Sequence, residues 1–296
     1  MNLHLDTPIS IGIPFFNAEK YLIDAIRSIF CQTHNNWELI LLDDGSTDNS
    51  FKLAKSINDK RVRVFSDGLR KGLSYRLNDI TTLSKYSFIA RMDADDLIAP
   101  NKFEKQIRIL IDNPNIDLIS TNSFSIDKYD TLLGIGFKSH NDFSKDELLH
   151  KKGHGIVHPS IMGRKEWFLR NPYNNNIMIG QDYDLWIRAA GKKDFKILIL
   201  DEPLFYYREE MNITLKKLMG AYETKYKVLK RHSEKNNFYF FIKFKLKVFI
   251  IRLLDKLNFL KLLSKRRTKR FNKSEKKLFN ENLTIIKNTK LPGVDF

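Results

Sequence analysis

Two apolar runs that each end in a group of carboxylates constrain this chain more than any other feature. Trp37 to Leu42 runs directly into Asp43-Asp44-Gly45-Ser46-Thr47-Asp48, and Ser87 to Met92 ends on Asp93-Ala94-Asp95-Asp96. A third acidic group, Gln181-Asp182-Tyr183-Asp184, opens a helical pattern later in the chain. Short apolar runs bounded by turn residues read as strands buried on both faces. The carboxylates of the first two groups therefore gather at the carboxyl edge of one sheet, where open α/β sheets bind ligands. Carboxylates concentrated there repel one another unless a cation or a hydrogen-bonded ligand lies between them. A hard divalent metal clamping a diphosphate meets that demand.

The surrounding pattern supports such a sheet. Ile9 to Phe16 predicts a first strand ended by Pro14, and Asn17 predicts the N-cap of a helix carrying Leu22, Ala25, Ile26 and Ile29 on one face. Ser46 is expected to cap a second helix, and Val62 to Phe65 and Gly72 to Leu83 read as a third strand and helix. Strand and helix alternate at βαβ spacing, which implies a mainly parallel sheet. Beyond Pro100 the spacing predicts a helix to about Asn113, strands over 117–126 and 131–137, a helix over 182–190 stopped by Gly191, and strands over 195–200 and 204–207.

Charge divides the chain of 296 residues. Its net charge of +16 lies almost wholly in residues 211–296, which hold 23 Lys+Arg against 6 Asp+Glu. Between Phe238 and Leu263 a stripe of Ile242, Leu246, Phe249, Ile250, Leu253, Leu254, Leu257 and Leu260 is edged by Lys and Arg, and a Lys/Arg run to 270 follows. That composition suits a helix lying in a membrane interface, with lysine stems snorkelling toward anionic headgroups, or an amphipathic helix packed on a domain. The aromatics cluster at one apolar end and do not interleave with basic residues, so no nucleic-acid partner is expected. One cysteine, Cys31, excludes an internal disulfide framework. No segment reads as a signal peptide or a spanning helix, which leads to an expected cytoplasmic location, peripheral on the inner face of the cell membrane.

The run Ser10-Ile11-Gly12-Ile13-Pro14-Phe15-Phe16-Asn17-Ala18-Glu19-Lys20-Tyr21-Leu22 resembles the opening motif of family 2 glycosyltransferases with the GT-A fold. Ser28 to Thr33, Trp37 to Asp48, Arg91 to Asp96, His158-Pro159-Ser160 and Gln181 to Arg188 extend the resemblance in order, over residues 9 to about 208. It implies an α/β GT-A fold, Rossmann-like with flanking helices, over 1–210. The nucleotide-sugar half spans about 1–115 and the acceptor half about 116–210, and a basic helical membrane-associating region follows over 211–296. It implies an inverting, metal-dependent transferase of the hexosyl or N-acetylhexosaminyl class. Such an enzyme moves a sugar from a UDP-sugar to a lipid-linked or surface-glycan acceptor.

Residue by residue, the resemblance puts Asp95 on the DxD metal ligand for Mn2+ or Mg2+, with Asp93 beside it and nearer the ribose. Asp44 falls on the carboxylate that reads the base, and Pro14, Asn17 and Glu19 on the nucleoside pocket. Arg91 is a candidate for the diphosphate and His158 for the donor-sugar pocket. Asp182 falls on the catalytic base. Asp43 and Asp48 read as turn and cap residues. Two positions depart from the family pattern: Gln181 stands where many members have Glu, and Glu209-Glu210 stand where many have a metal-binding His. His154 and His158, four apart, lack the Glu of a zinc-protease helix. A sugar nucleotidyltransferase would need a Gly-rich N-terminal phosphate loop, which Gly12-Ile13-Pro14 does not supply, and a purely membrane- or nucleic-acid-binding protein would leave Asp44, Asp95 and Asp182 unexplained.

Overall fold

A computed structural model describes residues 6–136, 143–150, 155–209, 215–232, 237–257, 259 and 270–294. His154, Glu210 and most of the 258–269 run lie outside the described residues. Strands β1 (Ile9–Phe15), β2 (Trp37–Asp43), β3 (Val62–Ser66) and β4 (Phe88–Arg91) alternate with helices α1 (Leu22–Phe30), α2 (Ser50–Ser56) and α3 (Leu73–Leu83). β5 (Leu97–Ile98) and α4 (Lys102–Asp112) lead into β6 (Leu118–Ile126) and β7 (Leu132–Ile135). Then come α5 (Lys145–His150), a 3₁₀ turn at His158–Ser160, β8 (Met162–Arg164), α6 (Lys165–Arg170), α7 (Gln181–Gly191) and β9 (Ile197–Arg208). Three further helices follow: α8 (Leu215–His232), α9 (Asn237–Lys256) and α10 (Lys273–Asn288).

Among the described residues the strands form one nine-stranded sheet in the order β3-β2-β1-β4-β8-β6-β9-β5, with β7 paired to β6. β1 runs parallel to both β2 and β4, so the order reverses between β1 and β4 and a crevice opens at their carboxyl ends. The second half mixes directions: β8 is antiparallel to β4 and β6, and β9 is parallel to β6. Every residue of β1 and β2 is buried, which explains their continuous apolar runs. Gly12 lets α3 lie close on β1, because a Cβ there would come within 2.3 Å of Ile80 Cγ2.

Three local expectations change. Pro14 lies inside β1, opposite Leu42. The β4 ladder ends at Gly12, so the N–H that proline lacks falls beyond it. Asn17 is not an N-cap, since α1 begins after Tyr21; it takes φ +49°, a left-handed conformation that Asn tolerates. Ser46 is not a cap either, because α2 starts after Asn49.

The basic C-terminal third divides in two. α10 returns to the sheet, burying Phe279 and Ile286 with Phe124 and Tyr206. Lys287 sits 2.7 Å from Asp130, and Leu291 joins the core beneath β1 and β2. α9 packs on α8 through Val248 and Ile251, while Ile242, Leu246, Phe249, Ile250, Leu253 and Leu257 stay exposed, Phe249 by 64%. At helical spacing these six fall within an arc of roughly 100°. Lys245, Arg252 and Lys256 border one side of it and Lys247 the other. No described helix is long and apolar enough to cross a membrane.

One core group is out of character. Lys102 is fully buried, its Nζ donating to Gln106 Oε1 at 2.8 Å, and burial pulls its pKa from 10.5 to about 7. Between those two values the unfolded chain binds the extra proton, so this lysine makes stability rise with pH and holds its full penalty below about pH 7. The stability of Lys102→Met relative to wild type is therefore expected to fall from pH 7 to pH 10, by at most about 1.4 kcal/mol per unit. Urea unfolding at several pH values measures it, and a constant difference would mean that Lys102 stays charged in the fold.

Candidate active site

The crevice floor is built from the loops after β1 and β2, which are stapled together. Asn17 Oδ1 accepts from Thr47 N–H at 2.8 Å, and Glu19 Oε2 accepts from Asn49 N–H at 2.9 Å. Asp48 accepts from Ser50 N–H and Glu19 N–H, and Asp43 from Ser46 N–H and the Ser66 hydroxyl. Asp43 and Asp48 are thus the turn and cap residues expected. The same geometry gives Asn17 and Glu19 structural partners within the two loops.

Asp44 is held differently. Its Oδ1 accepts from Lys71 N–H at 2.8 Å, from Gly72 N–H at 3.1 Å and from Arg76 Nε at 2.8 Å. Arg76 is itself fully buried and bonded to Asp67. Among the described residues Oδ2 takes only a shared contact with Gly72 N–H, so it keeps lone-pair capacity at the crevice. Lys71 and Gly72, obscure in the sequence, are the residues that aim Asp44.

The second acidic group forms a tight turn after β4. Arg91, 4% exposed, pairs with Asp93, and its Nε and Nη1 are buried without partners among the described residues. Asp96 is buried, with Oδ1 accepting from Arg208 N–H at 2.7 Å and Oδ2 unpartnered among the described residues. Burial pushes the Asp96 carboxyl well above its usual range, and the charges of Asp95 and Asp93 push it further. Arg208 fastens the turn: Nε donates to Asp95 O and Nη1 to Asp127 O, both at 2.6 Å, and Nη2 pairs with Asp130 at 2.6 Å.

Among the described residues no three His, Cys, Asp or Glu groups form a closed metal cage. The turn offers oxygen donors only, one of them a buried orphan. Hard divalent cations are held this way, by one or two carboxylates, when a substrate's phosphates complete the shell. The residues present therefore fit Mn2+ or Mg2+ bound together with a diphosphate. Glu209 Oε1 accepts from the Ser125 hydroxyl at 3.0 Å.

The third group faces this turn. α7 begins after Gly180, which has φ +76°, so Asp182 lies in the first turn and not at the N-cap. Among the described residues no donor holds its carboxylate. His158 Nε2 meets the Tyr173 hydroxyl at 2.8 Å and packs edge-on against Trp186. Burial pushes the Tyr173 phenol above its usual range; the charges of Asp182 and Asp93 add to this, and that of Arg91 opposes it. Tyr173 thus marks the point where the second and third acidic groups come within electrostatic reach of one side chain. Asn78 clamps its backbone from both sides, accepting from Tyr173 N–H at 2.9 Å and donating to its carbonyl at 3.0 Å.

The family model described as "Glycosyl transferase family 2" matches residues 10–170. The chain belongs to glycosyltransferase family 2. An Escherichia coli O-antigen biosynthesis glycosyltransferase, WbnJ, is 30% identical over 75% of this chain and 88% of its own. Also 30% identical, over 62% of this chain and 69% of its own, is WfgD from Escherichia coli, a UDP-Glc:alpha-D-GlcNAc-diphosphoundecaprenol beta-1,3-glucosyltransferase. Among solved structures, Staphylococcus aureus TarS 1-349 in complex with UDP superposes with a TM-score of 0.56, covering 79% of this chain and 68% of its own at 15% identity. At that identity the likeness shows the GT-A fold alone.

As a family 2 glycosyltransferase, the chain brings Asp44, Arg91, Asp93, Asp95, His158 and Asp182 to one end of its sheet. Sequence reasoning missed Arg76 and Tyr173 and gave Arg208 and Asn78 no role. A charged residue ending the apolar run Leu204 to Tyr207 was the one signal for Arg208, and its partners lie about eighty or more positions away.

Proposed function

We propose that this glycosyltransferase uses a UDP-sugar and transfers it, with inversion, to a lipid-linked or surface-glycan acceptor at a membrane. The reach of the Asp182, Arg91 and Asp93 charges to one side chain, Tyr173, carries this reading: a carboxylate with no donor among the described residues then lies near the turn that would hold the diphosphate. Asp44 Oδ2 would accept from the uracil N3–H. Arg91, with two unpartnered buried nitrogens, would hold the diphosphate, and Asp95 with Asp93 would hold Mn2+ or Mg2+. That ion, when bound, offsets the charge of the departing diphosphate.

The acceptor hydroxyl would attack the anomeric carbon from the face opposite the diphosphate, giving up its proton to Asp182 as the carbon–oxygen bond to phosphate breaks. His158 and Tyr173 would form the wall of the donor-sugar pocket. UDP is favoured by the name of WfgD and by the UDP complex of TarS. WfgD's diphosphoundecaprenol substrate and the exposed apolar arc of α9, bordered by cations, favour an acceptor held at an anionic membrane. The basic run over 258–269 would add to that attraction from outside the described residues.

Incubation with UDP-glucose, UDP-N-acetylglucosamine or GDP-mannose and a lipid-acceptor extract tests the reading. Release of UDP, abolished by EDTA, is expected, and release of GDP alone would discard the uracil role. Co-sedimentation with anionic vesicles is expected to fall at least tenfold in Phe249→Ser/Leu253→Ser. Undiminished binding would remove α9 from the membrane surface.

A further inference from the structure

A cavity of about 360 Å³ lies between the 174–179 loop and α8, next to the start of α7. Its loop wall carries Met178 and Ile179, which are 68% and 40% exposed, and its helix wall carries Lys227, Val228 and Arg231. The loop is fixed from below by the Ser74 hydroxyl, which donates to Ile177 O at 2.9 Å. At the corner Gly180 is required twice. Its φ of +76° suits glycine, and a Cβ would come within 3.1 Å of Thr224 Cγ2. The cavity's loop wall therefore ends at Ile179, three residues before Asp182, while the far side of α8 is covered by α9.

Its charge is unbalanced. Lys227 and Arg231 stand one turn apart on α8 and face the same space. Lys227 has no acidic partner among the described residues. Arg231 lies 3.9 Å from Asp184, whose carboxylate is already paired with Arg188 at 2.7 Å. Glu223 is the one acid on the cavity wall. Two cations over apolar side chains favour an anion that carries an apolar group.

We infer that this cavity binds the phosphate or diphosphate of an acceptor with an apolar tail, placing its sugar toward Asp182 and the start of its tail against Met178 and Ile179. The inference rests on the proposed function and adds the site that holds the acceptor's anionic link. The cavity would give the acceptor a fixed depth, so that the hydroxyl presented to Asp182 is set by its distance from the diphosphate.

Calorimetric titration of the full chain, first saturated with UDP and Mg2+ to fill the donor crevice, tests this with three probes: farnesyl diphosphate, inorganic diphosphate and farnesol. Farnesyl diphosphate is expected to bind best. Its affinity should drop at least tenfold in Lys227→Ala/Arg231→Ala, and rise in Glu223→Gln, where a like charge is removed. Equal binding of farnesyl diphosphate to wild type and the double variant, or equal binding of farnesol, would overturn the anion site. Inorganic diphosphate matching farnesyl diphosphate would overturn the tailed ligand. Absence of UDP binding would instead overturn the functional reading, and the same titrations without UDP would still judge the cavity.

Discussion

Replacing Asp182 by Asn is expected to lower sugar transfer by about 10²–10⁴-fold while leaving UDP affinity unchanged. The asparagine keeps the shape and loses the basic oxygen. Asp182 sits in the first turn of α7, behind Gly180 and Gln181, and no donor among the described residues holds its carboxylate. Its removal therefore breaks no hydrogen bond among the described residues, and thermal stability should change little. The groups proposed to hold the nucleotide belong to other elements: Asp44 is fixed by the 71–76 segment and the acidic turn by Arg208. A single-turnover measurement with saturating donor separates the outcomes. A loss of UDP affinity parallel to the loss of rate would assign Asp182 to donor binding.

Arg208→Ala is expected to be the most damaging single change to the fold near the site. The side chain is 2% exposed, pairs with Asp130 and donates to two carbonyls, and its guanidinium lies 4.2 Å over the Tyr21 ring. Removing one member of such a buried network costs about 3–5 kcal/mol, which for a chain of this size lowers Tm by roughly 10 °C. Lys287 still neutralises Asp130, which keeps the cost from exceeding that range. Because Arg208 also holds Asp95 O, the variant should bind UDP less tightly in the presence of Mn2+ even where it is folded. Arg208→Lys should recover only part of the loss, since an ammonium cannot span three acceptors in the guanidinium's plane. A Tm within 2 °C of wild type would contradict the assigned role.

The sequence showed what depends on period and position, and hid what depends on distant partners. β1, β2 and β4 were legible because strands buried on both faces are continuously apolar, and their acidic ends followed from the same runs. β8, three residues long, was not, because Met162–Arg164 is too short to show alternation. The helix reading of Asn17 failed because its side chain spends both groups on Thr47, thirty residues away. Asp44 stood out as a carboxylate after a strand, yet its aim is set by Lys71, Gly72 and Arg76, which only the folded 67–76 segment brings near. The charge of residues 211–296 suggested one region, whereas α10 buries Phe279 and Ile286, two positions seven apart in a polar segment, and joins the sheet.

Titration of UDP into the wild-type chain with and without Mn2+, alongside Asp44→Asn and Asp95→Ala, tests the central claim most directly. Tight binding that requires the metal is expected, with weaker binding in Asp44→Asn and loss of the metal requirement with low affinity in Asp95→Ala. UDP binding that ignores both Mn2+ and the two substitutions would contradict it.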